Sequence, residues 1–331
     1  MSKIKPVELS DKLFSLKDWT RSLWAFSRPH TIVGTVLSVT ALYVMALALT
    51  SSITALAGLN LGKNLFWIIA ALIPSLCANV YIVGLNQLTD IEIDRINKPN
   101  LPLASGKFSL REGWQIVAVL GAIALLLSIL QGQILFATVG LSMLIGTAYS
   151  LPPLRLKRFP FWAALCIFGV RGIIVNLGFF IHFRQLLSQS DSALLPWQPI
   201  PSEVWALTAF VLLFAFAIAI FKDIPDVEGD RQFQIRTLTV QLGSRFVFSL
   251  SRWVLTLCYG LLIGLVLVGA LPSVQPIFLV VTHLALLAFM WWKSFQVDLK
   301  KNDQISHFYQ FIWQLFFLEY LLFPISCLIA K

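Results

Sequence analysis

Long apolar runs alternate along this chain with short polar segments that hold most of its charge. Residues 31–50 and 65–85 are two such runs. Residues 113–154 carry no acid, lysine or arginine over 42 positions, which is too long for one crossing of a bilayer. Gln131-Gly132-Gln133 interrupts that stretch as a turn would. The runs at 161–181 and 204–221 follow. Residues 253–292 are again uncharged, with 271–276 (LPSVQP) as the break. The last run is 308–329. A helix of about 20 apolar residues crosses about 30 Å of hydrocarbon. The pattern therefore predicts nine transmembrane helices and an all-α, polytopic membrane protein.

Composition agrees with that solvent. Mean hydropathy is +0.80, and 12% of residues are charged, against about 25% in a soluble domain. Basic residues collect in cytoplasmic loops. With nine spans and the N-terminus inside, the inner segments are 1–30, 86–112, 153–160, 222–252 and 293–307. Together they hold 21 of the 25 lysines and arginines. The topology predicted is N-in and C-out. The net charge of +9 is then an orientation signal and a contact for anionic lipid. Nothing in it points to nucleic acid, and no obligatory protein partner is implied.

Residues 1–30 lack the apolar core of a secretory signal, and Glu8, Asp11 and Asp18 argue against a transit peptide. Leu13, Phe14, Leu16, Trp19, Leu23, Trp24 and Phe26 interleave with charge there. An amphipathic segment lying in the interface is expected, with 31–331 forming a single transmembrane domain. Cys77, Cys166, Cys258 and Cys327 are isolated, as are His30, His182, His283 and His307. Neither set has disulfide or metal-site spacing.

The acids are different. Seven of 16 fall at 90–94 and 223–230. Asp90-Ile91-Glu92-Ile93-Asp94-Arg95 and Asp226-Val227-Glu228-Gly229-Asp230-Arg231 share the pattern D-[IV]-E-x-D-R. One follows the second span and the other the sixth, both on the inner face. A single acidic span end reads as a solvated loop. Two equivalent ones read as an internal repeat of two four-span halves plus a ninth span. Residues four apart share a helical face, so Asn86, Asp90 and Asp94 form one row of oxygen ligands. Asp226 and Asp230, with Asp223 one turn earlier, form another. Hard oxygen donors without His or Cys select Mg²⁺, or Mn²⁺. Arg95, Lys98, Lys222 and Arg231 stand beside the rows, and Arg155, Lys157 and Arg158 add a cluster on the same side. The pattern describes a clamp for a metal-bound diphosphate at a membrane surface. A cation transporter is the rival from another class. Transport sites sit near the bilayer midplane, whereas these acids lie at one face among bases.

Asn86-x3-Asp90-x3-Asp94 with Asp226-x3-Asp230, on nine predicted spans, resembles the UbiA superfamily of intramembrane aromatic prenyltransferases. FSRPHT at 26–31, NQLTDIEIDRINKPNLPLASG at 86–106, GTAYSLPPLRLKR at 146–158 and IFKDIPDVEGDRQFQIRTL at 220–238 are similar to its homogentisate-prenylating branch in cyanobacteria and plastids, as is FYQFIWQLFFLEYLL at 308–322. The resemblance implies a UbiA-like bundle. It implies phytyl transfer from phytyl diphosphate to homogentisate with decarboxylation, giving a precursor of tocopherol. Two Mg²⁺ ions are implied, one on Asn86, Asp90 and Asp94 and one on Asp223, Asp226 and Asp230. Arg95, Lys98, Lys157, Arg158, Lys222 and Arg231 would hold the diphosphate, and Tyr149 would face the allylic cation. A cyanobacterial thylakoid or plasma membrane is the implied location, with the site towards the cytoplasm. A sister enzyme with a solanesyl or geranylgeranyl tail, or with a naphthoate or chlorophyllide acceptor, stays open.

Arg171 and Glu319 lie mid-span, where charge is costly and usually paired. They are expected either to pair with each other or to leave Arg171 free for the homogentisate carboxylate. Asn176 is a candidate to orient the acceptor's polar groups.

Overall fold

The structure is a computed structural model that describes residues 16–50, 61–188, 199–232 and 237–331. The first 15 residues of the expected interfacial segment and 233–236 of the second polar loop lie outside it. Among the described residues all regular structure is helical, and nine helical stretches are long and apolar enough to cross a bilayer.

A short helix, α1 (Leu16–Phe26), precedes α2 (Pro29–Thr50), the first span. α3 (Leu61–Thr89) is the second span and is followed by the seven-residue α4 (Ile91–Asn97). α5 (Leu110–Ile129) and α6 (Gln133–Ser150) are the third and fourth. Ser109 starts α5 with a full capping box: its hydroxyl takes the Glu112 N–H while the Glu112 carboxylate takes the Ser109 N–H. Gly132, at φ 109°, makes the turn between the two spans, a conformation that suits glycine.

The fifth span is not one regular helix. α7 (Pro160–Phe168) and α8 (Val175–Leu187) flank a π-helical stretch, Gly169–Ile174, that carries Arg171. α9 (Ser202–Phe221) is the sixth span, followed by α10 (Val227–Gln232) and α11 (Leu238–Leu242). α12 (Ser244–Leu267), α13 (Pro276–Phe295) and α14 (Asn302–Ile329) complete the bundle.

α9 is the most enclosed span. Phe210 and Phe214 on it pack against Tyr259 of α12 and Phe316 of α14. The outer surface is apolar instead. Leu126, Leu144, Phe161, Leu257 and Ile277 are exposed there, as expected where hydrocarbon is the solvent. A second, smaller cluster of Phe26, Leu85, Leu103, Phe108 and Val117 lies at one end of the bundle. It fixes the corner between α1 and α2 against α3, aided by the buried Gln87 amide, which donates to the Phe26 carbonyl at 2.7 Å.

The mid-span charges do not pair as the simpler expectation had it. Glu319 and His283 are both fully buried and meet at 3.2 Å. Arg171 instead lies over the rings of Trp313 and Phe316, 5.5 and 5.4 Å from their centroids. The α13 imidazole answers the buried carboxylate, while the guanidinium is taken up by two rings earlier on the same helix as Glu319.

Candidate active site

Both acid motifs are built the same way. α3 stops at Thr89, the chain breaks at Asp90, and α4 begins at Ile91. α9 stops at Phe221, residues 222–226 form turns, and α10 begins at Val227. The rows are therefore broken helices, not continuous ones. The i, i+4 backbone bond survives at each break: Asp94 N–H reaches the Asp90 carbonyl at 2.7 Å and Asp230 N–H reaches that of Asp226 at 3.1 Å. In each motif the second aspartate, Asp94 or Asp230, is buried, while the glutamate and the arginine point outward. α4 and α10 pack on each other. At Gly229 the contact leaves no space for a side chain, because a β-carbon there would overlap Asn97.

Basic residues draw the acids together. Lys98 Nζ, from the first motif, lies 2.7 Å from Asp226 Oδ2 of the second. Lys157 Nζ is 2.7 Å from Asp90 Oδ1 and donates to the Thr89 hydroxyl at 2.6 Å. Arg155 donates to the Thr89 carbonyl at 2.9 Å and reaches Asp90 at 3.5 Å. Lys222 lies 4.0 Å from Asp223. Arg28 extends to Asn86 Oδ1 at 3.4 Å and to Asp94 at 4.0 Å. Asn86 also donates to Asp90 Oδ2 at 3.1 Å.

The cluster thus gathers Asn86, Asp90, Asp94, Lys98, Lys157, Lys222, Asp223, Asp226 and Asp230 at one end of the bundle. Tyr149, at the end of α6, lies near enough to Lys222 to act on its charge. Three expected bases do not join. Arg95 turns to Glu92 at 2.9 Å. Arg158 and Arg231 are exposed and make no ion pair among the described residues. Two arginines take their place, Arg155 from the expected basic cluster and Arg28, which the charge pattern of the sequence does not single out. Arg28 and Arg155 both adopt left-handed backbone, at φ 52° and 37°, which aims them inward from tight corners. The FSRPHT segment carried Arg28 in the sequence, but its direction depends on a turn that charge counting does not see.

Burial sets the electrostatics. It raises the carboxyls of Asp94 and Asp223 above the ordinary aspartate range, against the pull of the nearby cations. Asp230 is pushed up to about 6 by burial and then by Asp223 and Asp226. Lys157 is lowered by burial, which Asp90 opposes. Lys222 is raised, first by the Tyr149 oxygen and then by Asp223 and Asp226 against burial.

Among the described residues no three acid, histidine or cysteine side chains stand ready as a metal cage, because lysine and arginine lie between the carboxylates. The donor set still fits a hard divalent cation. Every donor is oxygen, and Asp94 Oδ2 is buried without a hydrogen-bond partner. Carboxylates that share a buried space favour a cation between them.

Residues 36–315 match the UbiA prenyltransferase family. The chain belongs to that family. A UbiA homolog from Archaeoglobus fulgidus, whose structure is bound to GPP and Mg²⁺, has the same fold at a TM-score of 0.56 and 16% identity, over 93% of this chain and 99% of that one. The homogentisate phytyltransferase of Synechocystis sp. is 50% identical over 92% of this chain and 95% of its own length. Homogentisate phytyltransferase 1 of Arabidopsis thaliana is 41% identical over 95% of this chain and 77% of its own length. In this UbiA protein the two acid motifs meet at one end of the bundle.

Proposed function

We propose that this chain transfers a phytyl group from phytyl diphosphate to homogentisate, with loss of diphosphate and CO₂, giving 2-methyl-6-phytylbenzoquinol for tocopherol biosynthesis. The observation that carries the reading is the meeting of two D-[IV]-E-x-D-R motifs and their lysines at the polar end of an apolar bundle. The kinship with homogentisate phytyltransferases supports the choice of donor and acceptor.

Asn86, Asp90 and Asp94 would hold one divalent ion, and Asp223, Asp226 and Asp230 a second. When bound, Mg²⁺ or Mn²⁺ supplies Lewis-acid neutralisation of the diphosphate oxygens. Arg28, Lys98, Arg155, Lys157 and Lys222 grip the same oxygens and stabilise charge that grows on them as the allylic C–O bond breaks. Tyr149 presents its ring beside the allylic carbon. The apolar walls keep water from the cation. The homogentisate ring supplies the electron pair for the new C–C bond and then loses its proton. The carboxyl departs as CO₂, and its CH₂ takes up a proton to become the methyl group. Those two protons cancel, so the chemistry needs no further reactant.

The N-terminus lies in the cytoplasm in this reading, with the site facing the same side of a thylakoid or plasma membrane. The charged, tryptophan-bearing α1 lies in the interface beside it. Residues 31–331 act as one domain of two four-span halves and a ninth span.

The test uses membranes holding the expressed protein, carboxyl-labelled homogentisate and phytyl diphosphate. Mg²⁺-dependent release of labelled CO₂, matched by a lipid-soluble quinol and stopped by EDTA, is the expected result. No release with phytyl, geranylgeranyl or solanesyl diphosphate removes homogentisate from the account.

A further inference from the structure

Below the acid cluster the bundle holds a half-open cavity of about 100 Å³ between α2, α3, α6 and the fifth span. Asn79 lines it and lies seven residues, about 10 Å of helix, from Asn86. A cavity of about 150 Å³ takes up one benzene ring, so this somewhat smaller, half-open space is on the scale of a single small ring.

Its lining is polar in one sense only. Thr35, Ser38, Ser75, Thr138 and Ser142 all face it. Each gives its hydroxyl proton to a backbone carbonyl of its own helix, over 2.6–3.1 Å. Asn79 gives an amide proton to the Thr31 hydroxyl at 2.9 Å. A hydroxyl that has donated keeps free lone pairs. The wall therefore offers acceptors to whatever enters.

One group differs. Arg171, held in the π-helical stretch, lines the same cavity. π-helical turns inside α-helices recur at functional sites. Arg171 has no hydrogen bond or ion pair with a described residue, only the faces of Trp313 and Phe316. Its guanidinium approaches α2 so closely that a β-carbon on Gly34 would sit 3.0 Å from Nη1. An intramembrane cation with no carboxylate partner is costly to keep. A fork of strong donors opposite a wall of acceptors is the complement of a phenolic acid.

We infer that this cavity is the acceptor site and that Arg171 binds the acceptor's carboxylate, while the hydroxyl wall receives its phenol protons. The ligand class is a small hydroxylated aromatic acid. This rests on the transfer reaction proposed above for the name homogentisate, but not for the class. Asn176 is not part of it. Its carbonyl is held by the Tyr320 hydroxyl at 2.9 Å, and Val175 and Phe179 form the wall at that level.

The test is equilibrium binding to the purified full-length protein in detergent, without prenyl diphosphate. The probes are labelled homogentisate and methylhydroquinone, its neutral, decarboxylated ring. Wild type should prefer the acid by at least about tenfold, the scale of a charge-assisted hydrogen bond. Arg171→Gln should lose that preference to within about twofold and still bind the neutral ring, which also shows that it is folded. A Gln variant that keeps the tenfold preference overturns the inference, and so does a wild type that prefers neither ring or binds neither. If the Gln variant binds nothing, Arg171→Lys decides. A remaining preference of at least about threefold supports the inference, and equal affinity overturns it. Wild type that binds the acid through Arg171 yet transfers no phytyl group defeats the proposed reaction and leaves this site standing.

Discussion

Asp90 is held by Lys157 and Arg155, and Asp226 by Lys98. These pairings let five carboxylates share a small, mostly buried space. Asp90→Asn or Asp226→Asn keeps the shape and removes a proposed metal ligand. Each should lower turnover by at least about 10²-fold while the protein elutes and melts as wild type; near-normal turnover in either would end the ligand assignment. Asp230 gives a pH dependence. Its carboxyl is raised to about 6 by burial, so it gains a proton as pH falls through that value, and only its anion binds a cation. Apparent Mg²⁺ affinity should be flat above about pH 7 and fall by up to about tenfold per unit below 6. A Mg²⁺ titration of activity between pH 5.5 and 8 reads this directly, and a flat profile would show that Asp230 is not a ligand. At this scale the sequence picked out the acids that the structure gathers at one end of the bundle. It did not reveal which bases serve them. Arg95 and Arg231 sit next to the key aspartates in sequence, yet a side chain one residue along a short helix points about 100° away from them.

The short helices α4 and α10 bring the two motifs face to face. Their contact is tightest at Gly229, where a methyl group would strike Asn97. Gly229→Ala should turn the end of the Asn97 side chain aside. Since only that amide has to move, the cost should stay at the low end of overpacking, about 1 kcal/mol, and the variant should show a slightly lower melting temperature in detergent and slightly weaker Mg²⁺ dependence. Asn97→Ala in the same chain should restore much of both. The apolar period located the spans but not the breaks at Asp90 and 222–226, since a broken helix and an unbroken one give the same i, i+4 spacing. α13 and α14 carry a different kind of contact, the fully buried pair of His283 and Glu319. Removing one partner of such a pair leaves a buried charge unanswered, while removing both does not. Glu319→Leu alone should destabilise the protein more than the double change with His283→Leu, measured by heat-induced aggregation of the purified protein. Sequence placed Glu319 inside the bundle but could not choose its partner, because His283 lies 36 residues away with nothing in the pattern to join them.

The bundle as a whole was the most legible level. Nine apolar runs became nine span-length helices among the described residues, since helix length against bilayer thickness leaves little freedom. The irregular fifth span was not legible, because a π-helical stretch changes backbone register without changing hydropathy. Orientation is testable with single cysteines in a chain freed of its native four. Lys107→Cys and Lys301→Cys should react with an impermeant maleimide only from the cytoplasmic side, and Lys331→Cys only from the other. The reverse pattern would put the N-terminus outside. The Lys98–Asp226 bridge joins the two acid motifs of this bundle and has a consequence for the order of events. The five aspartates at the bundle end face five cations: Arg28, Lys98, Arg155, Lys157 and Lys222. With the ledger of charge already level, a bare divalent ion arrives as surplus positive and a bare diphosphate as surplus negative. The two would be best admitted as one chelate, and Lys98, which already bridges to Asp226, stands where a latch for it would be.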